Sequence, residues 1–298
     1  MSDAANLPCP VCGSNATHQK HPAEIVAPEQ VSFSYTFSPS HSKTFQVMRC
    51  DSCTHVFCAP IPSDIARNYQ DVVDEEYLRH SSSRQMSAVP LLSTLRRYQP
   101  RGRLLDVGCA TGDFLLAARE QQYSVEGIEL SDWSSRIARG KGLSVYREYL
   151  DVFAPRHCDE YDVVTLWGVI EHFADPRREI RNIVDVLRPG GIAALWTGDV
   201  DSVTSRLLGK KWWYWQGQHI QYFTERSLTR LLREAGLDPV ATRLYPFAAS
   251  LETLANSLRR YRSRDLFLSI LKPLFRVKPT WYLRIPGEMF FLARKSSG

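Results

Sequence analysis

The chain has 298 residues, 44% hydrophobic and 23% charged, which suits one large globular domain with a smaller appendage and excludes a disordered tail-like protein. No apolar run reaches the roughly 18–20 residues that cross a bilayer, and residues 1–8 lack the basic region and apolar core of a secretory signal, so the expected location is cytoplasmic. The net charge of +5 is local: residues 243–298 carry eleven Lys and Arg against three Asp and Glu, so the first 242 residues are net acidic, which argues against a nucleic-acid partner.

Residues 1–60 are rich in Pro, Ser and Cys and lack helical periodicity, so short strands and turns are expected there. Cys9 and Cys12, then Cys50 and Cys53, form two C-x2-C pairs. In a chain with no export signal such pairs point to metal rather than to disulfides. Four thiolates make the tetrahedral sulfur shell of a structural zinc ion, with no position left open for catalysis. Gly13 suits the tight turn after the first pair. Cys58, Cys109 and Cys158 stand alone and read as unreactive thiols. Residues 61–100 form a helical lead-in, with a helix expected over 89–98 before Pro100 and Gly102.

From residue 101 apolar runs of strand length alternate with amphipathic stretches. Strands are expected over 103–108, 124–130, 144–147, 161–167 and 192–197, with helices over 112–121, 131–141 and 176–187 between them. This alternation predicts a parallel sheet covered on both faces. A helix over 225–235 stops at Gly236, a good C-terminal cap. Strands over 239–244 and 289–294 complete the sheet, with 246–287 read as an insertion. The expected architecture is α/β: a doubly wound, Rossmann-like seven-stranded sheet over 101–298 with a zinc-ribbon-like module over 1–60.

The segment Leu104-Leu105-Asp106-Val107-Gly108-Cys109-Ala110-Thr111-Gly112-Asp113 is an apolar strand, a glycine turn and a helix start. In open α/β sheets ligands bind beyond the carboxyl ends of the strands, and glycine lets backbone approach them. The Gly-x-x-x-Gly spacing is neither that of a dinucleotide loop nor that of a P-loop, which argues against a pyrophosphate ligand. Glu129 ends the next strand, placed to accept from both hydroxyls of a ribose or, alternatively, simply to begin the following helix.

These residues resemble class I S-adenosylmethionine (SAM)-dependent methyltransferases. Asp106 to Gly112 is similar to that family's first motif, and Glu129 to its ribose contact. Tyr161-Asp162-Val163-Val164 followed by Val169-Ile170-Glu171-His172-Phe173 resembles its fourth-strand region, and Leu187-Arg188-Pro189-Gly190-Gly191 its turn before strand five. The resemblance covers about residues 100–245. It implies that the backbone of Gly108, Cys109, Ala110 and Gly112 cradles the amino-acid part of SAM, and that Asp106 supports this loop or binds the amino group. Leu130 would pack near the adenine, and Trp167 and Gly168 would lie beside the cofactor. Asp151 is the candidate for the adenine edge, with Leu150 equally placed. The cysteine pairs resemble the zinc module that precedes many bacterial methyltransferases of small-molecule and glycan pathways.

Methyl transfer to a hydroxyl is helped by a general base, most often histidine. His172 follows Glu171 after strand four, where a structural role is as well supported as a catalytic one. His219 lies in an aromatic segment with Trp212, Trp213, Tyr214, Trp215, Tyr222 and Phe223, able to sit over the strand ends as base or as packing residue. Thr224 is placed to cap the next helix. The expected acceptor is a hydroxyl of a small molecule or of a sugar or glycan unit, lipid-linked forms included. The alternatives are nucleic-acid modification and a SAM-binding scaffold without catalysis. Within 251–285, apolar Leu258, Tyr261, Leu266, Phe267, Ile270, Leu271, Leu274 and Phe275 interleave with Arg259, Arg260, Arg262, Arg264, Lys272, Arg276 and Lys278, with Pro273 and Pro279 limiting any helix to short pieces. That pattern suits either a lid packed on its own core or a helix touching an anionic membrane from the cytoplasmic side.

Overall fold

The structure, a computed structural model, describes residues 7–27, 30–36, 43–62, 65–249, 251, 254–255, 264–277 and 280–297. In chain order the strands are β1 (Thr17–His21), β2 (Val47–Cys50), β3 (Val56–Cys58), β4 (Gly102–Val107), β5 (Tyr123–Ile128), β6 (Ser144–Tyr146), β7 (Tyr161–Trp167), β8 (Leu187–Gly198), β9 (Gln221–Tyr222), β10 (Leu237–Ala249) and β11 (Trp281–Lys295). The helices named below are α1 (Ile65–Asn68), α2 (Glu75–Arg79), α3 (Ser81–Leu95), α4 (Asp113–Glu120), α5 (Asp132–Gly140), α6 (Leu150–Phe153), α7 (Pro176–Val186), α8 (Val203–Leu208), α9 (Glu225–Glu234) and α10 (Arg264–Val277).

Seven strands form the central sheet in the order β10-β11-β8-β7-β4-β5-β6. The five inner and right-hand strands run parallel, and β11 pairs antiparallel with both β8 and β10. The apolar runs follow from this. Leu104, Leu105, Val163, Val164, Leu166 and Ile192 are fully buried because helices cover both faces. Each such side chain stabilises the fold by about 1.5–3 kcal/mol. Strand order reverses beside β4, the point at which α/β sheets open a crevice beyond their carboxyl ends.

The stretch read as an insertion is partly sheet. Pro246 pairs with Arg284 and Ala249 with Trp281, so β10 and β11 run on as a hairpin well past residues 244 and 289. β10 is an edge strand, where Pro239 and Pro246 need donate nothing, and the register shifts at both prolines. The lead-in over 61–100 is helical, but the helix read over 89–98 begins earlier, at Ser81, and carries Pro90 within it. Helix α10 packs Leu268, Leu271 and Phe275 against the hairpin residues Phe247, Ala249 and Leu283. Leu258, Arg259, Arg260, Tyr261, Arg262 and Lys278 lie outside the described residues.

The N-terminal segment forms a second, antiparallel sheet, β1-β2-β3-β9. Its fourth strand comes from residues 221–222, far along the chain, with Val56 opposite Tyr222 and Phe57 opposite Gln221. Cys9, Cys50 and Cys53 are buried in one cluster with Phe57, Phe223 and Leu231, so this sheet shares its apolar interior with the central domain.

Candidate active site

A cavity of about 850 Å³ opens at the carboxyl ends of β4, β5, β7 and β8, within the usual range for a small-molecule site. The turn after β4 builds its floor. Gly108 has φ +73°, and a Cβ there would meet Val169 Cγ2 at 2.7 Å. Gly112 has φ +79°, and a Cβ would meet Leu143 Cδ1 at 2.3 Å. Both positions favour glycine through their positive φ, and a side chain there would also have to displace Val169 or Leu143. Ala110 lies between them at φ 46°. The turn is pinned from β5, since Gly108 N and Cys109 N donate to Ile128 O at 2.8 and 3.0 Å. Cys109 itself points into the core under Gly127, so only its backbone reaches the cradle.

Glu129 is 4% exposed and faces this turn. Its Oε2 accepts from Ala110 N at 2.8 Å, and its Oε1 from Ser131 N at 2.8 Å and from Tyr35 Oη at 3.1 Å. Burial raises its pKa against the pull of these donors. Asp106 is buried at the end of β4, where Thr165 Oγ1 donates to it at 2.6 Å. Desolvation pushes the Asp106 pKa up to about 8. A carboxylate so placed suits a ligand ammonium, whose charge would draw it back toward ionisation.

Leu130, Asp151, Trp167 and Gly168 all line the cavity. Asp151 sits on α6, its carboxylate 40% exposed and 3.6 Å from the Arg178 guanidinium, while Leu150 beside it is buried. Trp167 packs on Phe114 with ring centroids 4.8 Å apart.

On another wall Glu171, His172 and His219 converge, one ligand-capable atom of each lying within 4.8 Å of the others. His172 Nδ1 donates to Gln218 O at 2.7 Å and His219 Nδ1 to Tyr214 O at 2.8 Å. These bonds place a proton on Nδ1 of each ring and make Nε2 of His219 its basic atom, while the His172 ring also meets Tyr69 Oη, at 3.2 Å from Nδ1 and 3.4 Å from Nε2. Burial lowers the His172 pKa to about 4. Glu171 accepts from Tyr214 Oη and, at 3.1 Å, from Thr197 Oγ1. Burial raises its pKa to about 7. The main chain ties this cluster to the second sheet, with Ile220 N bonded to Glu171 O and Cys58 N to Ile220 O, each at 2.9 Å.

Trp213 of the aromatic segment, with residues the sequence did not single out, completes the cavity. Trp196 stacks on Tyr245 at 4.4 Å. Trp196 Nε1 and Trp213 Nε1 both donate to Glu288, at 3.0 and 2.7 Å. The result is an aromatic wall with a carboxylate set into it. Tyr35, Tyr69 and Tyr77 close the opposite side.

In the N-terminal sheet, Cys9 and Cys53 sulfurs are 3.6 Å apart and those of Cys12 and Cys50 3.5 Å. A tetrahedral zinc with Zn–S bonds near 2.3 Å has edges of about 3.8 Å. The two turns match: Gly13 N bonds Cys9 O and Thr54 N bonds Cys50 O, with Gly13 at φ +72° and Thr54 at φ 68°. The second turn thus places a threonine where the first has glycine. The four cysteines fit a metal in number, spacing and chemistry.

A methyltransferase-domain family model matches residues 77–242. A ubiquinone biosynthesis O-methyltransferase of Bordetella avium is 36% identical over 95 residues, 30% of this chain and 39% of that protein. One from Ruegeria pomeroyi is 31% identical over 157 residues, 49% of this chain and 63% of that protein. The chain therefore spans less than two thirds of the length of either relative. A SAM-dependent methyltransferase from Thermotoga maritima shares the fold at a TM-score of 0.51 and 20% identity, covering 74% of this chain and 95% of its own.

Proposed function

This chain belongs to the methyltransferase-domain family and is a SAM-dependent methyltransferase, and on that premise we propose that it methylates a hydroxyl oxygen of a small molecule or sugar unit, with His219 as the base. SAM, when bound, supplies a methyl group on a sulfonium. The Gly108–Gly112 backbone receives its amino-acid part, Asp106 its ammonium and Glu129 its ribose hydroxyls. Leu130 and Trp167 flank it, and Asp151 stands at the adenine edge. The aromatic wall of Trp196, Trp213 and Tyr245 offers faces for an acceptor ring, and Glu288 an acceptor for its hydroxyls. Relatives named O-methyltransferases support the hydroxyl. Zinc on Cys9, Cys12, Cys50 and Cys53 holds the second sheet.

The observation that carries this reading is the His219 imidazole, its Nδ1–H committed to the Tyr214 carbonyl, held beside His172 and the buried Glu171. A ring so held takes a proton at Nε2. The test supplies methyl-labelled SAM with hydroxylated quinols and with sugar nucleotides, and looks for label in an ether. Label in an amine or in RNA would overturn it. Calorimetry with S-adenosylhomocysteine tests the cofactor end. Glu129→Ala is expected to bind about 100-fold more weakly, because hydrogen bonds to a charged group are worth about 1.5–3 kcal/mol. Equal binding by both proteins would remove Glu129 from the ribose role.

The acceptor's source bears on α10. Its Leu268, Leu271 and Phe275 face the hairpin, whereas Ile270 and Val277 are 67% and 85% exposed and Leu274 45%. Positions 270, 274 and 277 make one outward stripe, flanked by exposed Lys272 and Arg276. We propose that this stripe rests on an anionic bilayer. Vesicles containing anionic lipid should float the protein at low salt, and Ile270→Asp with Leu274→Asp should abolish flotation without lowering the melting temperature. No flotation at low salt would leave α10 as a lid alone.

A further inference from the structure

The mechanism above makes no use of Tyr35, which the N-terminal segment brings to the cavity between the two cysteine turns. Val31 and Phe33 pack with the second sheet, and Phe33 meets the Tyr69 ring at 5.4 Å. Thr36 anchors the other end, its N–H and Oγ1 donating to Asp74 at 2.7 and 3.2 Å. Asp74 is itself fixed, because it caps α2 through Tyr77 N at 2.9 Å. Ser34 and Tyr35 lie between these anchors and line the cavity.

The hydroxyl of Tyr35 is bonded in both directions. It donates to Glu129 Oε1 at 3.1 Å and accepts from Ser134 Oγ at 3.1 Å. Ser134 therefore orients the phenolic proton toward Glu129. A carboxylate offers about four acceptor sites. At Glu129 the main-chain donors Ala110 N and Ser131 N and the Tyr35 hydroxyl bond the two oxygens, with the Leu130 main chain also donating toward them. A ribose diol brings two more donors, which the carboxylate cannot serve while Tyr35 stays bonded. The main-chain donors are fixed by the turn after β4 and by the start of α5. Tyr35 is the donor that can yield, and its proton then has a ribose oxygen to bond.

We propose that Tyr35 is a cofactor-binding residue contributed by the N-terminal segment: the ribose is received between Glu129 and Tyr35, with Glu129 accepting from both hydroxyls while Tyr35 donates to one ribose oxygen. This rests on the ribose reading of Glu129 given above. It makes the strap over 31–36 part of the cofactor site, so its anchorage by Asp74 sets how long the cofactor stays.

The test measures S-adenosylhomocysteine binding by calorimetry for the wild type, Tyr35→Phe and Asp74→Ala, with Glu129→Ala alongside. Tyr35→Phe keeps the ring and its packing and is expected to weaken binding about tenfold, with a matching rise in off-rate. Asp74→Ala should raise the off-rate too. The decisive comparison uses the 2′-deoxy and 3′-deoxy analogues. The Tyr35→Phe penalty should vanish for the one that lacks the bonded hydroxyl, as in a double-mutant cycle. A packing role would leave the penalty equal for both analogues and would overturn the proposal, as would unchanged or tighter binding by Tyr35→Phe. Should Glu129→Ala bind as well as wild type, the ribose reading itself fails, and this result is separable because it does not involve the strap.

Discussion

Cys53→Ser is expected to release the metal, lower the melting temperature by about 10 °C or more and reduce turnover, although no catalytic group is touched. The thiol is fully buried beside Phe57 and Phe223, so a serine there loses a metal ligand and places a hydroxyl in an apolar cluster. The neighbouring Cys9 sulfur, then burial, holds the Cys53 thiol above its ordinary range, and burial does the same at Cys12. Only a metal makes four thiolates tolerable at 3.5–3.6 Å. Apparent zinc binding in small zinc domains is worth about 10–16 kcal/mol. With zinc bound, part of that stability would pass to the active site. β3 holds β9, His55 Nε2 bonds Gln221 Oε1 at 2.8 Å, and Cys58 N bonds Ile220 O, so the segment carrying His219 is fastened to the cysteine sheet. Elemental analysis should give one zinc per wild-type chain and less for the variant. A metal-free protein with the wild-type melting curve would remove zinc from the account.

What the sequence made legible is what physics writes locally. A buried parallel strand needs an unbroken apolar run, so β4, β5, β7 and the inner part of β8 could be read directly. Gly108 and Gly112 announce a turn that favours glycine, and Glu129 falls at a fixed distance beyond it. The two C-x2-C pairs come together as one four-cysteine cluster. The remainder depends on register between distant segments. β9 is two residues long and exists because β3 offers it a partner. Glu288 acquires meaning only when β11 pairs with β8 and sets it against Trp196, 92 positions away in the chain. Tyr35 reaches Glu129 across 94 positions from a segment with no periodicity. The hairpin extension was hidden by Pro246, on the edge strand β10 where proline costs little, and by Pro286 and Gly287, which fall in the register shift of β11 between Arg284 and Met289.

His219→Ala is expected to lower turnover by about 10²–10⁴-fold, the usual contribution of general-base catalysis, while leaving S-adenosylhomocysteine affinity unchanged. The ring lies with His172, centroids 5.0 Å apart, and with Glu171, and its Nδ1–H is already spent on Tyr214 O. A proton taken at Nε2 leaves an imidazolium, and the charge of Glu171 is near enough to stabilise it. That help requires an ionised carboxylate. Burial raises the Glu171 pKa to about 7, so the group is ionised above that pH and neutral below it. Turnover should therefore fall by up to about tenfold per pH unit on the acid side of about 7, toward the level of an uncharged group at this position, and level off above it. His172 does not supply this limb, since burial holds its pKa near 4 and its ring stays neutral across the range. Glu171→Gln separates the two effects: the amide keeps partners for Tyr214 and Thr197 but carries no charge, so turnover should drop to a low, flat profile between pH 6 and 8. A limb near pH 7 that survives in Glu171→Gln would assign the titration elsewhere. A His219→Ala variant with wild-type turnover on the true acceptor would leave this histidine a packing residue under Tyr214.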